Sequence, residues 1–379
     1  MQALGTRPML ALGAALVVLL GFGAYFLFGR SSAPTAVATP TPSPTMSATA
    51  TPSASLSPTP SASSTPEVAA RCPLNGMPMA SEATAERTAL LVQIENHPLA
   101  RPARNLNSAD IVFEAPVEGD TTRFSAVFLC QPTVGLTGPV RSARYYNIDL
   151  WQDLHVLPVG FGASGGALTR FAAAGMPYVN GITGGWPWYS RVSGRAAPHN
   201  LYADIERVRS SFGSMPRLDT LAERVGELRP PFAIDPVVEP PAGRTVAEVT
   251  IQTNSYWRFG WRWDASVSAW LRQDAGKAVV DAVNDQPVSA TSVIVQRVTQ
   301  EEVLGDPDPG GNSRRLQHMV GSGRGTLYVD GQAVDVRWSR PKASDGTSWT
   351  YAGSGDPVVL PAGRIWWEIV PVTASVSED

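Results

Sequence analysis

The longest apolar stretch of the chain runs from Met9 to Phe28 and holds no charged residue. About 20 residues of helix span about 30 Å, the hydrocarbon thickness of a bilayer. A secretory signal has a shorter apolar region of about 7–15 residues and a small-residue cleavage site. Only Ser31-Ser32-Ala33 resembles such a site. The pattern therefore predicts an uncleaved transmembrane signal anchor at 9–28, with a cleaved signal as the alternative. Arg7 and Arg30 flank it on both sides, so flanking charge does not set the orientation. Residues 1–8 are too few for a domain and are expected in the cytoplasm, which sends the rest of the chain across.

From Ser31 to Pro66 there is neither a charged nor an aromatic residue, and Thr-Pro and Ser-Pro steps recur. Such a segment cannot bury enough apolar surface to offset its chain entropy. Residues 29–66 thus read as a disordered Ser/Thr/Pro/Ala linker, either a plain spacer or an O-glycosylated stalk. As a coil its ends lie about 33 Å apart, and a polyproline-like form reaches about 110 Å.

Beyond Glu67 the pattern becomes that of a folded protein. Ala89 to Glu95 reads as a strand. Ile111 to Glu118 and Thr121 to Cys130 alternate with period two. Gly119-Asp120 between them suits a two-residue hairpin turn. That register places Glu114, Glu118 and Arg123 on one face. A helical pattern follows to about Asp153, then a buried strand from His155 to Phe161. The glycine-rich turn 160–166 leads into a helix that ends at Ala174, stopped by Gly175. Pro230, Pro231, Pro236, Pro240 and Pro241 mark a linker at 230–243. Short strands follow at Ala247–Gln252, Trp257–Trp263, Ala269–Gln273, Ser292–Val298, Thr326–Asp330, Gln332–Trp338 and Arg364–Val370, with Asp330-Gly331 as a clear hairpin turn. The fold class is α+β: a mixed α/β domain at 67–229, then a smaller β-rich domain at 244–373.

Composition narrows the function. The net charge is −3 and no basic block marks a nucleic-acid partner. The two cysteines, Cys72 and Cys130, are expected to pair in an oxidising compartment. Without clustered histidines they do not form a zinc site, so neither metal nor cofactor is expected.

The turn carries two formal motifs. Gly160, Gly162 and Gly165 fit a dinucleotide pattern, but no acidic residue follows at the spacing a ribose needs. Gly162, Ser164 and Gly166 fit a serine nucleophile elbow; a later Asp and His318 would complete a triad in the right chain order, but no spacing selects them. The plainer reading is a tight strand-to-helix turn whose amides can face an anion. Trp186, Trp188 and Tyr189 lie in a loop and can pack inward or form a sugar-stacking surface. Trp257, Trp261 and Trp263 share strand parity and are expected to pack one sheet face.

Several runs resemble the YerB-like family of bacterial envelope proteins, a domain of unknown function (number 3048). They are Ile94-Glu95-Asn96-His97-Pro98, Arg101-Pro102, Ala109 to Glu114, Val117-Glu118-Gly119, Thr122-Arg123-Phe124, Gly138 to Arg144 and Ala197 to Tyr202. The resemblance spans Cys72 to Pro371. It implies an N-terminal mixed domain and a β-rich C-terminal domain, and it supplies no activity. Many such proteins are lipoproteins; here a lipid-bearing cysteine is absent and a helix stands in its place. Gly276-Lys277-Ala278 also stands where the resemblance leads one to expect His-x-Asp.

The candidate ligand-binding residues are Asp110, Glu114, Glu118, Arg123, Arg141, Arg144, Arg191, Arg195, His199 and Asn200; no catalytic residue is assigned. Arginine's planar fork suits carboxylates and phosphates. The expected partner is an anionic or polar cell-envelope ligand bound in one cleft. The alternatives are a cell-wall-polymer hydrolase or transferase using His199 or a carboxylate, and a scaffold for another envelope protein.

Overall fold

Three strands form the base of the site: β1 (Leu90–Glu95), β2 (Ile111–Pro116) and β3 (Thr122–Phe128). They belong to a computed structural model that describes residues 70–379 except 255 and 256. The expected N-terminus 1–8, anchor 9–28 and linker 29–66 lie outside the described residues. Among those described, no helix is long and apolar enough to cross a membrane.

β2 and β3 form the expected hairpin, with a register one residue away from the expected one. Pro116 pairs with Thr122, and Val117 N–H donates to the Thr121 carbonyl at 2.9 Å. The connection is therefore the three residues Glu118-Gly119-Asp120, not two. Gly119 (φ 70°) and Asp120 (φ 57°) both take left-handed backbone there. Side chains alternate with period two, so a one-residue slip exchanges faces. Glu114 now sits opposite Phe124, while Arg123 sits opposite Ala115 and Glu95. Arg123 and Glu114 point to opposite sides of the sheet, and the expected single-face group is broken up.

Each face has its own core. Leu90, Val92, Ile94, Phe124, Ala126 and Phe128 pack with Phe259, Trp261 and Trp270 of a second sheet. Leu91, Phe113 and Val127 on the other face pack under Leu150 and Leu154 of α1 (Asn147–Leu154). β4 (Leu157–Gly160) runs parallel to β1, and β5 (Val179–Asn180) parallel to β4. Between them α2 (Gly165–Ala174) is capped by Ser164, whose Oγ accepts from Ala167 N–H at 3.2 Å, and stopped by left-handed Gly175.

All seven strands expected after residue 244 are present, with ends shifted by a few residues. The Asp330-Gly331 turn joins Val329 to its partner Gln332. Trp261 is buried and Trp263 half-buried against Trp270, as the shared parity predicts. The protein is rich in strand and has few helices. The segments on either side of 230–243 are tied by more than that connection. Ile365–Pro371 runs parallel to β2, with Ile111 beside Ile365 and Glu114 beside Glu368. One sheet therefore runs through both segments, and residues 70–379 fall within one compact unit. Within 230–243, Ala233–Ile234 pairs with Val359–Leu360. Cys72 and Cys130 are bridged, with Cα atoms 5.7 Å apart.

Candidate functional site

Glu95, the last residue of β1, is the centre of the site. β4 pairs only with the start of β1, so the segment 139–141 takes the place beside the end of the strand. Glu95 N–H donates to the Pro139 carbonyl at 2.8 Å, and Arg141 N–H to the Gln93 carbonyl at 2.9 Å. Val140 N–H reaches Leu201 of β7 (Leu201–Ala203) at 2.6 Å. β7 pairs with β6 (Tyr189–Arg191), and the loop between them carries Arg195, His199 and Asn200.

These backbone contacts bring four side chains together. Glu95 Oε1 lies 3.1 Å from His199 Nδ1 and 3.2 Å from Arg141 Nε. The Arg141 contact is one of charge, because its N–H is not aimed at the oxygen and makes no hydrogen bond. His97 stacks on His199 with ring centres 4.8 Å apart. Its Nδ1 accepts from Leu99 N–H at 3.2 Å. Burial and the neighbouring His199 hold the His97 pKa below the ordinary histidine value. Asn200 accepts from Arg191 at 2.7 Å and fixes that guanidinium at the exposed rim.

Arg123 lies below them, directly across from Glu95, and is buried. Its Nη1 donates to the Ser142 carbonyl at 3.0 Å, and its Nε has no partner. Among the described residues no carboxylate lies within ion-pair distance of it. Burial, then the charges of Arg144 and Arg141, bring its pKa down to about 9, so it stays cationic at neutral pH.

Arg144 lies beside Arg123, donating to the same Ser142 carbonyl at 2.9 Å, but it is paired with Glu118. It grips Glu118 with two hydrogen bonds, one of them 2.8 Å from Nε to Oε2, and Arg314 reaches the same carboxylate. Burial would raise Glu118, but the charge and hydrogen bonds of Arg144 hold its pKa below the usual carboxylate range. Three candidates are outside the site. Glu114 is buried on the opposite face with Arg272, at 2.7 and 3.0 Å. Arg195 ties loops together through the Ala100 and Pro102 carbonyls. Asp110 sits under the disulfide and accepts from Leu129 and Cys130 N–H. One cleft holding all ten is therefore not what forms: Arg123, Arg141, Arg191, His199 and Asn200 gather with the Arg144–Glu118 pair beside them, and Asp110, Glu114 and Arg195 lie apart.

The motif readings of the turn also change. Ser164 Oγ is engaged by Asp306 as well as by its own helix, and His318 stands beside Glu301 at 3.4 Å. Ser164 has extended backbone (φ −68°, ψ 159°), so no strained nucleophile turn forms. Trp186 and Trp188 stack on each other and are buried, which removes them as a sugar platform.

Glu95 and His97 were not among the candidates. A lone glutamate ending an apolar strand reads as a solvent-facing terminus; only its neighbours in the fold show it buried. Their one sequence mark is the run Glu95-Asn96-His97-Pro98, where Pro98 breaks the strand immediately after three polar residues.

Comparison with known proteins places the chain in a lineage. Residues 74–216 match the N-terminal domain, and residues 247–367 the C-terminal domain, of a family described as protein of unknown function DUF3048. The curated protein "Putative lipoprotein YerB" of Bacillus subtilis (strain 168) is 26% identical over 303 residues, covering 79% of this chain and 86% of its own length. A crystal structure of the YerB protein from Bacillus subtilis superposes with a TM-score of 0.66 at 23% identity, over 81% of this chain and 99% of that one, and so shares the fold. With matches to both halves in their proper order, this chain belongs to the DUF3048 family.

Proposed function

We propose that this protein is held outside the cytoplasmic membrane by residues 9–28 and binds an anionic group of a cell-envelope ligand at the Glu95–His199–Arg141–Arg123 cluster. The apolar run of bilayer length supports the location, as does the description of the Bacillus relative as a lipoprotein. The observation that carries the binding reading is Arg123, a buried cation without a carboxylate partner. A buried charge left unpaired is costly, and an incoming anion supplies the missing counter-charge. Arg141 adds a partly exposed guanidinium whose two terminal nitrogens form no hydrogen bond among the described residues, a shape suited to two oxygens of a carboxylate or phosphate. Arg191 places a further positive charge at the rim.

The test is binding of purified cell-wall fractions to the full chain by pull-down. Arg141→Ala with Arg191→Ala should weaken binding at least about tenfold, the scale of charge-assisted hydrogen bonds. Wild-type binding should also weaken as salt rises. Unchanged binding in the double variant would remove this reading.

One contact favours a second reading. With Nδ1 of His199 on the Glu95 carboxylate, Nε2 is left to accept or donate a proton, as in carboxylate–histidine pairs of hydrolases. Mass spectrometry of wall fragments after incubation would then show turnover, and His199→Ala would abolish it.

A further inference from the structure

The Glu95 carboxylate has one oxygen to spare. Its side chain is 3% exposed. Oε1 takes the His199 hydrogen bond and the Arg141 charge, whereas Oε2 is shut off from solvent and has no hydrogen-bond partner. An ionised carboxylate offers about four lone-pair positions, so an entire accepting oxygen is idle. Arg123 is its direct neighbour across the β1–β3 pair, and Arg123 Nε is likewise buried without a partner. The two do not satisfy each other. The site thus combines unmatched donors, on Arg123 and Arg141, with one unmatched acceptor, on Glu95.

A bare oxyanion would answer only the donors, and would bring a second negative charge against Oε2. A group that carries its charge beside a hydroxyl or N–H would answer both. From this we infer that the ligand presents an anion with an adjacent hydrogen-bond donor, and that Glu95 reads the donor. This rests on the anion-binding reading above and narrows its ligand class. Charged groups flanked by hydroxyls, as in polyol phosphates, meet the requirement; simple monoalkyl phosphates do not.

Two probes of equal charge separate these cases. At pH 8, glycerol 3-phosphate and methyl phosphate are both dianions, and only the first carries hydroxyls. Isothermal titration of the full chain in a neutral detergent should show glycerol 3-phosphate binding about tenfold tighter or more, as one hydrogen bond to a charged group would give. In Glu95→Gln that ratio should fall to about one, because the amide NH2 that takes the place of Oε2 cannot accept from a hydroxyl. The amide oxygen of that variant can still accept from His199 Nδ1, so the ring stays in place. Equal wild-type affinity for the two probes would overturn the inference and leave anion binding standing, and this result needs no variant to fold. A preference that survives in Glu95→Gln would overturn it as well. If neither probe binds the wild-type chain, the anion-binding reading falls, and this inference with it.

Discussion

At the scale of single residues, the same sheet end treats two buried glutamates differently on its two faces. Glu95 lies among cations on one face. On the other, Glu114 and Glu368 lie side by side on adjoining parallel strands, both essentially unexposed. Arg272 donates twice to Glu114, and Trp366 Nε1 donates to it at 3.2 Å. Glu368 accepts from Trp261 Nε1 at 2.9 Å, and among the described residues its second oxygen has no hydrogen-bond partner. One guanidinium cannot neutralise two carboxylates. Burial, then the charge of Glu114, push the Glu368 pKa well above the usual carboxylate range. A raised folded-state pKa favours folding below the unfolded value of about 4.3, and that contribution is lost as pH rises through the folded value. Glu368→Gln removes the titration. In urea denaturation its stability relative to wild type should improve from pH 5 to pH 8; a gap that does not move with pH would contradict this assignment. Arg272→Ala strands a buried Glu114 and should cost about 3–5 kcal/mol in the same assay.

At the scale of elements, periodicity in the sequence predicts β1, β2, β3 and both helices, because each must bury one side of a regular repeat. The hairpin register is less well determined. Gly119-Asp120 accepts left-handed backbone in a two-residue or a three-residue connection alike, and the choice decides the face of Arg123. What favours the longer connection is tertiary: it frees Glu118 to meet Arg144 and Arg314. Arg314 comes from an arm in which Thr299–Val303 pairs with Arg314–His318. The arm's tip places Asp306 at the start of α2, where it accepts from Ser164 Oγ and, at 2.6 Å, from Tyr145 Oη. A side chain at Gly166 would overlap both Tyr145 Oη and the Asp306 carboxylate. Gly166→Ala should therefore loosen the arm. Amide exchange at 299–318 should accelerate about tenfold, while exchange in β1 and β3 stays as in wild type. Unchanged protection of the arm would show that Asp306 does not hold it.

At the scale of the whole molecule, the strand Ile365–Pro371 is the joint. It lies between Ser292–Val303 and β2, parallel to both, and puts Trp366 into one core and Trp367 into the other. A chain ending at residue 229 would leave β2 as an open edge and both cores without these rings. Such a fragment should aggregate or show no cooperative melt by circular dichroism, and should recover when residues 230–379 are produced with it. A soluble, cooperatively melting fragment would show that the first segment stands alone. The disulfide acts locally beside this joint. It closes a span of 58 residues within the first segment, and in the chain-entropy model such a loop contributes about 4 kcal/mol.

The sequence by itself determined the apolar run of bilayer length, the strand and helix periods, the Asp330-Gly331 turn and the pairing of the two cysteines. Each of these follows from residues close together in the chain or from a choice with one solution. Only the tertiary structure decided which charges meet. Glu95 is paired because segment 139–141 displaces β4 beside the end of β1, and Glu114 is lost to the site because a one-residue loop difference turns it to the other face. Side-chain partners across strands depend on register and on distant segments, and short-range hydrophobic patterning does not encode either.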